Sequence, residues 1–124
     1  MTSVTFDNRV TAVNSNSIKP NELARFYRGL GDPTRIKILK ILSNGEQSVS
    51  SLVSLLKAPQ GRVSSHLACL RWCGFVVTER RGRSVYYSIE DPHIASLLEL
   101  GESIFTSAAE RILACDIIEE TERV

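Results

Sequence analysis

Proline and glycine cut the middle of this 124-residue chain into short segments, each with its own apolar period. Apolar residues recur at helical spacing over residues 21–30 and again over residues 33–42. Gly31 and Asn44-Gly45 supply the stops, and Asp32-Pro33 offers an N-cap residue followed by proline at the first helical position. Two helices of modest length are therefore predicted before residue 45.

The next two segments predict a helix-turn-helix. Ser50 stands where it can cap a helix that continues to residue 56, and Ala58-Pro59 interrupts this helix before a second one over residues 60–72. Gly74 then ends the second helix. Two short helices joined by a tight turn form the motif.

A β-hairpin and a long helix are predicted to follow. Residues 75–77 and 84–89 are rich in β-branched and aromatic side chains, and residues 79–83 have the glycine and the charges of a hairpin tip. We predict that this hairpin is a wing beside the helix-turn-helix. Asp91-Pro92 repeats the cap-and-proline start for a final helix, whose apolar residues keep helical spacing up to Leu113.

The apolar stripe of the final helix is broader than one small domain readily covers. Its natural use is dimerisation, together with the helix over residues 21–30; the alternative is a helix packed entirely against its own domain. The predicted fold class is mainly α with a β-hairpin wing, a winged helix-turn-helix that dimerises through its terminal helices. This domain is expected over residues 19–118, between a flexible N-terminal arm over 1–18 and an acidic tail over 119–124.

The net charge of +1 hides an uneven distribution. Residues 57–83 contain six Lys/Arg and one Asp/Glu, whereas residues 84–124 contain two Lys/Arg and nine Asp/Glu. A basic centre beside an acidic C-terminal part suggests a surface that faces a polyanion such as double-stranded DNA. No run approaches the roughly 18 apolar residues of a membrane span, and the start has no signal-peptide pattern, so we expect a cytoplasmic protein without a membrane partner.

The three cysteines, at positions 69, 73 and 115, make an odd number in a chain with no export signal, which argues against a disulfide framework. Cys69 and Cys73 are four residues apart on a predicted helix, so both sulfurs can hold one ion. Two thiolates suit Hg(II), and Cys115 as a third would complete a trigonal site for Cd(II), Pb(II) or Hg(II), because soft ligands select soft ions.

The order of four helices, a hairpin and a final helix resembles the ArsR/SmtB metalloregulatory repressors over about residues 20–115. Three stretches carry the resemblance: Leu30-Gly31-Asp32-Pro33-Thr34-Arg35, Val63-Ser64-Ser65-His66-Leu67 and Arg81-Gly82-Arg83-Ser84-Val85-Tyr86-Tyr87. The resemblance implies a dimer that represses a metal-resistance or efflux operon and is released by its inducer. Residues 66–74 are similar to the cadmium- and lead-sensing branch, in which two cysteines on the recognition helix combine with one from the C-terminal region. Cys115 matches this third ligand by position.

The predicted DNA contacts lie on the second helix of the motif and on the wing. Helical spacing places Val63, Leu67 and Leu70 on the core side of that helix, which leaves a small, polar opposite side for base edges. The arginines of the wing are suited to bind phosphates or to enter the minor groove. The alternative is that they simply form a solvated hairpin surface without contacting DNA. The candidate DNA-binding residues are Gln60, Arg62, Ser64, Ser65, His66, Arg80, Arg81 and Arg83. His66 also suits a packed, hydrogen-bonded position at the edge of the core.

Other function classes fit the sequence less well. No Ser-His-Asp arrangement, glycine-rich phosphate loop or pair of catalytic carboxylates emerges, so an enzyme is not expected. A thiol redox switch on the same fold is the main alternative, in which oxidation of the cysteines is the signal. A plain DNA-binding module with inert cysteines is the other alternative.

Overall fold

The computed structural model describes residues 17–114. The predicted arm over 1–18 thus lies mostly outside the described residues, and both Cys115 and the predicted acidic tail lie wholly outside them. The described elements, in chain order, are α1 (Pro20–Leu30), α2 (Pro33–Leu42), β1 (Gln47–Ser48), α3 (Val49–Leu56), α4 (Gln60–Trp72), β2 (Val76–Arg81), β3 (Ser84–Ile89) and α5 (His93–Leu113).

The start of α2 follows the predicted capping pattern. The backbone of Asp32 is extended, and its side chain accepts a hydrogen bond of 3.0 Å from the backbone N–H of Arg35. Pro33 takes the first helical position, where a backbone donor would have no helical partner. The cap-and-proline prediction is therefore confirmed for this helix. It is wrong for α5, where Pro92 is itself the N-cap and the helix begins at His93, because Asp91 lies one residue too early to be the cap.

The start of α3 differs from the prediction. Ser48, not Ser50, is the N-cap, and its hydroxyl accepts a 3.1 Å hydrogen bond from the backbone N–H of Ser51. Gln47 and Ser48 also pair with Tyr87 and Tyr86 as β1, a strand that the sequence did not predict. Ser48 can serve both elements because its extended backbone suits the end of a strand and an N-cap alike.

The wing is a tighter hairpin than predicted. β2 and β3 remain paired as far as Arg81 and Ser84, so the turn consists of Gly82 and Arg83 alone. Gly82 has a φ of +61°, which a residue with a side chain rarely adopts. Glu79, Arg80 and Arg81 therefore belong to β2 and not to the hairpin tip. The three strands form an antiparallel sheet in the order β1-β3-β2.

A single apolar cluster lies beneath the helix-turn-helix and the base of the wing. It joins side chains from α1, α2, α3 and α4 to Phe75, Val76 and the first turn of α5. The buried members are Leu30, Ile38, Leu39, Leu42, Leu52, Val63, Leu67, Leu70, Phe75, Val76 and Ile94. This cluster fixes the orientation of α4, because three of its members come from one side of that helix.

Only the beginning of α5 packs firmly on this cluster. Ile94 is buried, whereas Leu100, Ile104 and Leu113 are 62%, 67% and 69% exposed. Lys40 of α2 forms an ion pair of 2.7 Å with Glu102 near the middle of the helix. Within residues 17–114, no helix combines the length and the apolar character needed to cross a membrane.

Candidate functional site

The outward side of α4 is open and polar, as the helical period predicted. Val63, Leu67 and Leu70 are fully buried, and this places the polar residues of the helix on the opposite side. Exposed along that side and its flanks are Gln60, Gly61, Arg62, Ser64 and Ser65. A Cβ atom built on Gly61 would meet no atom within 4 Å, so nothing in the described chain covers the outward side of the helix at this position. Such a surface is suited to approach base edges in a major groove.

His66 occupies the packed position that was its alternative interpretation. Its side chain is 20% exposed, and its Nδ1 lies 3.4 Å from Nη1 of Arg35 and 3.7 Å from Oδ2 of Asp32. Burial raises the pKa of Asp32. The hydrogen bond from the backbone N–H of Arg35 and the charges of His66 and Arg35 together outweigh this effect, so the pKa of Asp32 lies below its ordinary value. A DNA contact by His66 stays a prediction.

The three wing arginines have different environments. Arg80 and Arg83 are exposed. Arg81 forms ion pairs with Glu46 and Glu79, and its guanidinium carbon lies 4.7 Å from the centre of the Tyr86 ring. Hydrogen bonds to Glu46 and Glu79 raise the pKa of Arg81, and the hydrogen bond from Arg81 lowers the pKa of Glu46. Arg81 is thus already paired with carboxylates, and any phosphate must compete with them.

Cys69 and Cys73 lie together at the C-terminal end of α4, as their spacing predicted. Both are free thiols; Cys69 is partly buried and Cys73 is exposed. Burial raises the pKa of Cys73, the charge of Cys69 and a hydrogen bond between the two side chains raise it further, and the charge of Arg35 opposes the change. Within the described part of the chain, no group of three His, Cys, Asp or Glu residues is placed to hold a metal ion. The described residues therefore bring two sulfurs together, and metal binding by them stays a prediction.

Arg35 joins the middle of α4, at His66, to the C-terminal end of α1, a role that the sequence analysis did not assign. Its Nε donates a 2.7 Å hydrogen bond to the carbonyl of Gly29, and its Nη2 donates one of 3.2 Å to the carbonyl of Arg28. Gly29 in turn lies close to the residues that follow α4. A Cβ atom built on Gly29 would be 3.9 Å from Sγ of Cys73 and 3.0 Å from the Phe75 ring. Only the position of Arg35 in the Leu30–Arg35 stretch signalled its importance.

A helix-turn-helix with a solvent-facing second helix, followed by a two-stranded wing, defines a winged helix-turn-helix DNA-binding regulator. Residues 32–78 match the family model described as bacterial regulatory protein, arsR family. A probable mercury resistance operon repressor of Streptomyces lividans is 38% identical over 96 residues, which are 77% of each chain. The protein therefore belongs to the ArsR family of transcriptional regulators.

Further relatives and solved structures agree with this assignment. A cadmium resistance transcriptional regulatory protein CadC homolog of Staphylococcus aureus is 33% identical over 64% of this chain and 67% of its own length. The crystal structure of Rv0081 of M. tuberculosis matches with a TM-score of 0.70 and 31% identity, over 78% of this chain and all of that one. The homodimeric winged helix-turn-helix DNA-binding domain of Mb0332 from Mycobacterium bovis matches with a TM-score of 0.66 and 26% identity, over 73% of this chain and 84% of that one.

Proposed function

We propose that this protein is a transcriptional repressor that binds operator DNA as a homodimer and is released when a thiophilic metal ion binds its cysteines. The observation that carries the proposal is the contact between the Cys69 and Cys73 side chains at the C-terminal end of α4, the helix whose outward side is open and polar. A ligand at this pair acts directly on the reading helix. The ligands we assign are Cys69, Cys73 and, from outside the described residues, Cys115.

The chemistry of the pair suits Cd(II), Pb(II) or Hg(II). Within residues 17–114 no carboxylate or imidazole joins the two sulfurs in a group of three ligands, and a pair of sulfurs favours soft ions over Mg(II), Ca(II) or Mn(II). The names of two relatives point the same way, because one is a mercury resistance repressor and another is a cadmium resistance regulator. A third sulfur from Cys115 would raise both the affinity and the preference for ions that accept three thiolates.

The dimer is supported by the apolar surface that the terminal helices leave uncovered. Phe26 and Tyr27 of α1, together with Leu100, Ile104 and Phe105 of α5, are all at least one-third exposed. An apolar cleft of about 390 Å³ lies between α1, α2 and α5. A second copy can cover this surface, as in the structural neighbour that is described as homodimeric.

Release follows from geometry in this proposal. A dimer must present its two α4 helices to half-sites about one turn of DNA apart, so a small rotation of α4 removes specific contacts. Drawing Cys69 and Cys73 toward Cys115 would tie α4 to the C-terminal region and change that spacing. A coupling free energy of about 1–3 kcal/mol would lower the affinity for the operator about 5–150-fold.

Operator binding measured by fluorescence anisotropy, with and without each metal under reducing conditions, tests the proposal. Cys69→Ser and Cys73→Ser should keep operator binding and lose the metal response, and Cys115→Ser should weaken the response if it is the third ligand. Ala68→Ser, a substitution at an exposed position on the same helix, is the matched control and should be released by metal as the wild type is. Trp72, the only tryptophan and 93% exposed beside Cys73, reports metal binding independently.

Two outcomes would contradict the proposal. A wild-type protein whose operator affinity is the same with and without every metal tested would leave a DNA-binding module with inert cysteines. Release by peroxide but not by metal, with a new covalent dimer on non-reducing electrophoresis, would instead identify a thiol redox switch.

A further inference from the structure

The contacts of Arg35 extend from α1 to α4. Its side chain starts on α2, holds two carbonyls at the C-terminal end of α1, and reaches the Nδ1 of His66 on α4. The contacts of Arg35 with Gly29 and His66 are partly buried, so they are less exposed to competition from water than surface contacts are. One planar guanidinium thus links three helices, a geometry that lysine cannot reproduce with a single nitrogen.

The two ends of this linkage belong to different parts of the proposed function. At one end, His66 lies between Ser65, on the outward side of α4, and the buried Leu67. At the other end, Gly29 packs against Cys73 and Phe75, and the Phe75 ring is 5.2 Å from that of Phe26 on α1. Phe26 and its neighbour Tyr27 belong to the surface that we assign to the dimer.

We propose that Arg35 is the positioning residue that couples the thiol pair to the dimer interface, by holding the C-terminal end of α1 in a fixed place relative to α4. When α4 shifts as a unit, the contact of Arg35 with His66 in the middle of that helix, together with the hydrogen bonds of Arg35 to the carbonyls of α1, obliges α1 to move with it. This inference rests on the proposed function, since it assigns the route by which ligand binding at Cys69 and Cys73 reaches the partner subunit. Arg35 touches neither DNA nor the ion in this assignment.

The test separates coupling from folding and from binding. For each full-length variant, operator affinity is measured without metal and at saturating Cd(II), and the ratio of the two dissociation constants is the coupling. Cd(II) binding is followed separately by sulfur-to-metal absorption, and stability by urea unfolding. Arg35→Gln should retain Cd(II) binding, while its coupling ratio falls from the order of 5–150-fold to below about threefold.

Three further variants sharpen the result. Lys37→Gln removes one positive charge from an exposed position on the same helix and should leave the ratio unchanged. Arg35→Lys keeps the charge but not the three-way hydrogen bonding, so it should lower the ratio as Arg35→Gln does. His66→Phe removes the contact of Arg35 with α4, along with the weaker approach of His66 to Asp32, and its effect should not add to that of Arg35→Gln in a double-mutant cycle.

The possible failures are distinct. If Cd(II), Pb(II) and Hg(II) all leave the wild type on its operator, the proposed function fails and this inference fails with it. If the wild type is released but Arg35→Gln shows the wild-type ratio, only the inference is overturned. If Arg35→Gln does not fold, His66→Phe decides: a wild-type ratio in that variant overturns the inference, and a lowered ratio supports it. Full coupling in Arg35→Lys would reduce the role of Arg35 to its charge and overturn the positioning assignment.

Discussion

At the scale of single residues, several polar side chains of this protein stabilise the first turns of helices. Asp32 and Ser48 each accept a hydrogen bond from a backbone N–H in the first turn of a helix. Asp91, which precedes the N-cap residue Pro92 of α5, also accepts a hydrogen bond of 2.9 Å from the N–H of His93, the first residue of that helix. These donors would otherwise have no helical partner, so each cap contributes to stability out of proportion to its size.

Asp32 and Ser48 offer a matched test of charge at a cap. Asp32→Ala and Ser48→Ala should each lower the free energy of unfolding by about 0.5–2 kcal/mol near neutral pH. Only the loss at Asp32 should depend on pH. The folded-state pKa of Asp32 lies below its ordinary value, so its stabilisation is complete above the unfolded pKa of about 3.9 and is lost as the pH falls through the lower, folded value.

Urea unfolding of both variants and the wild type between neutral pH and pH 3 checks this expectation. The difference between wild type and Asp32→Ala should shrink toward the acid end, while that for Ser48→Ala should stay constant. An Asp32→Ala difference that grows on acidification would show that the sign of the pKa shift is wrong.

At the scale of elements, periodicity predicted what is long and missed what is short. α4 was predicted with the bounds that the structure shows, because thirteen residues contain enough turns to reveal the buried side formed by Val63, Leu67 and Leu70. β1 has two residues and therefore no period of its own, and it exists only because β3 lies beside it. The start of α3 was misplaced for a similar reason, because Ser48 and Ser50 are equally good cap residues in the sequence and only the pairing of β1 with β3 distinguishes them.

In the candidate site, too, the sequence predicted what depends on local spacing and missed what depends on distant contacts. The Cys69–Cys73 pair and the polar side of α4 follow from spacing within one helix, so the sequence predicted both. The roles of Arg35 and Glu46 depend on residues 31 and 35 positions away in the chain, at His66 and Arg81. No local pattern reports contacts that only tertiary packing creates.

A glycine-to-alanine substitution tests the backbone conformation assigned to Gly61 in α4 and to Gly82 in the turn of the wing. Gly61→Ala should stabilise the protein by about 0.5–1 kcal/mol, because position 61 is within a helix and a Cβ there meets nothing. Gly82→Ala should destabilise it by about 1–2 kcal/mol, because φ is +61° in the hairpin turn. Thermal and urea unfolding measure both changes, and equal signs for the two variants would contradict the assigned geometry.

At the scale of the whole molecule, the chain separates a polar reading surface from an apolar assembly surface. The outward side of α4 carries small polar residues and Arg62, while the exposed residues of α1 and α5 include large apolar side chains. Core burial does not explain the second surface, since Ile94 alone among the residues of α5 is buried. The length of α5 is therefore best explained by a partner that covers what the domain itself does not.

Ile104→Glu should then disrupt the dimer, because Ile104 is 67% exposed on α5 and a charge buried between two copies would be unpaired. Leu55→Glu is the matched control, since Leu55 is 55% exposed on α3, outside the terminal helices. Sedimentation over a range of concentrations should show a dimer for the wild type and for Leu55→Glu, and a weakened dimer for Ile104→Glu. Operator affinity should fall with the dimer, because one subunit alone contacts a single half-site. A fully dimeric Ile104→Glu protein would mean that the apolar stripe of α5 serves another purpose and that the reading helices are paired through a different surface.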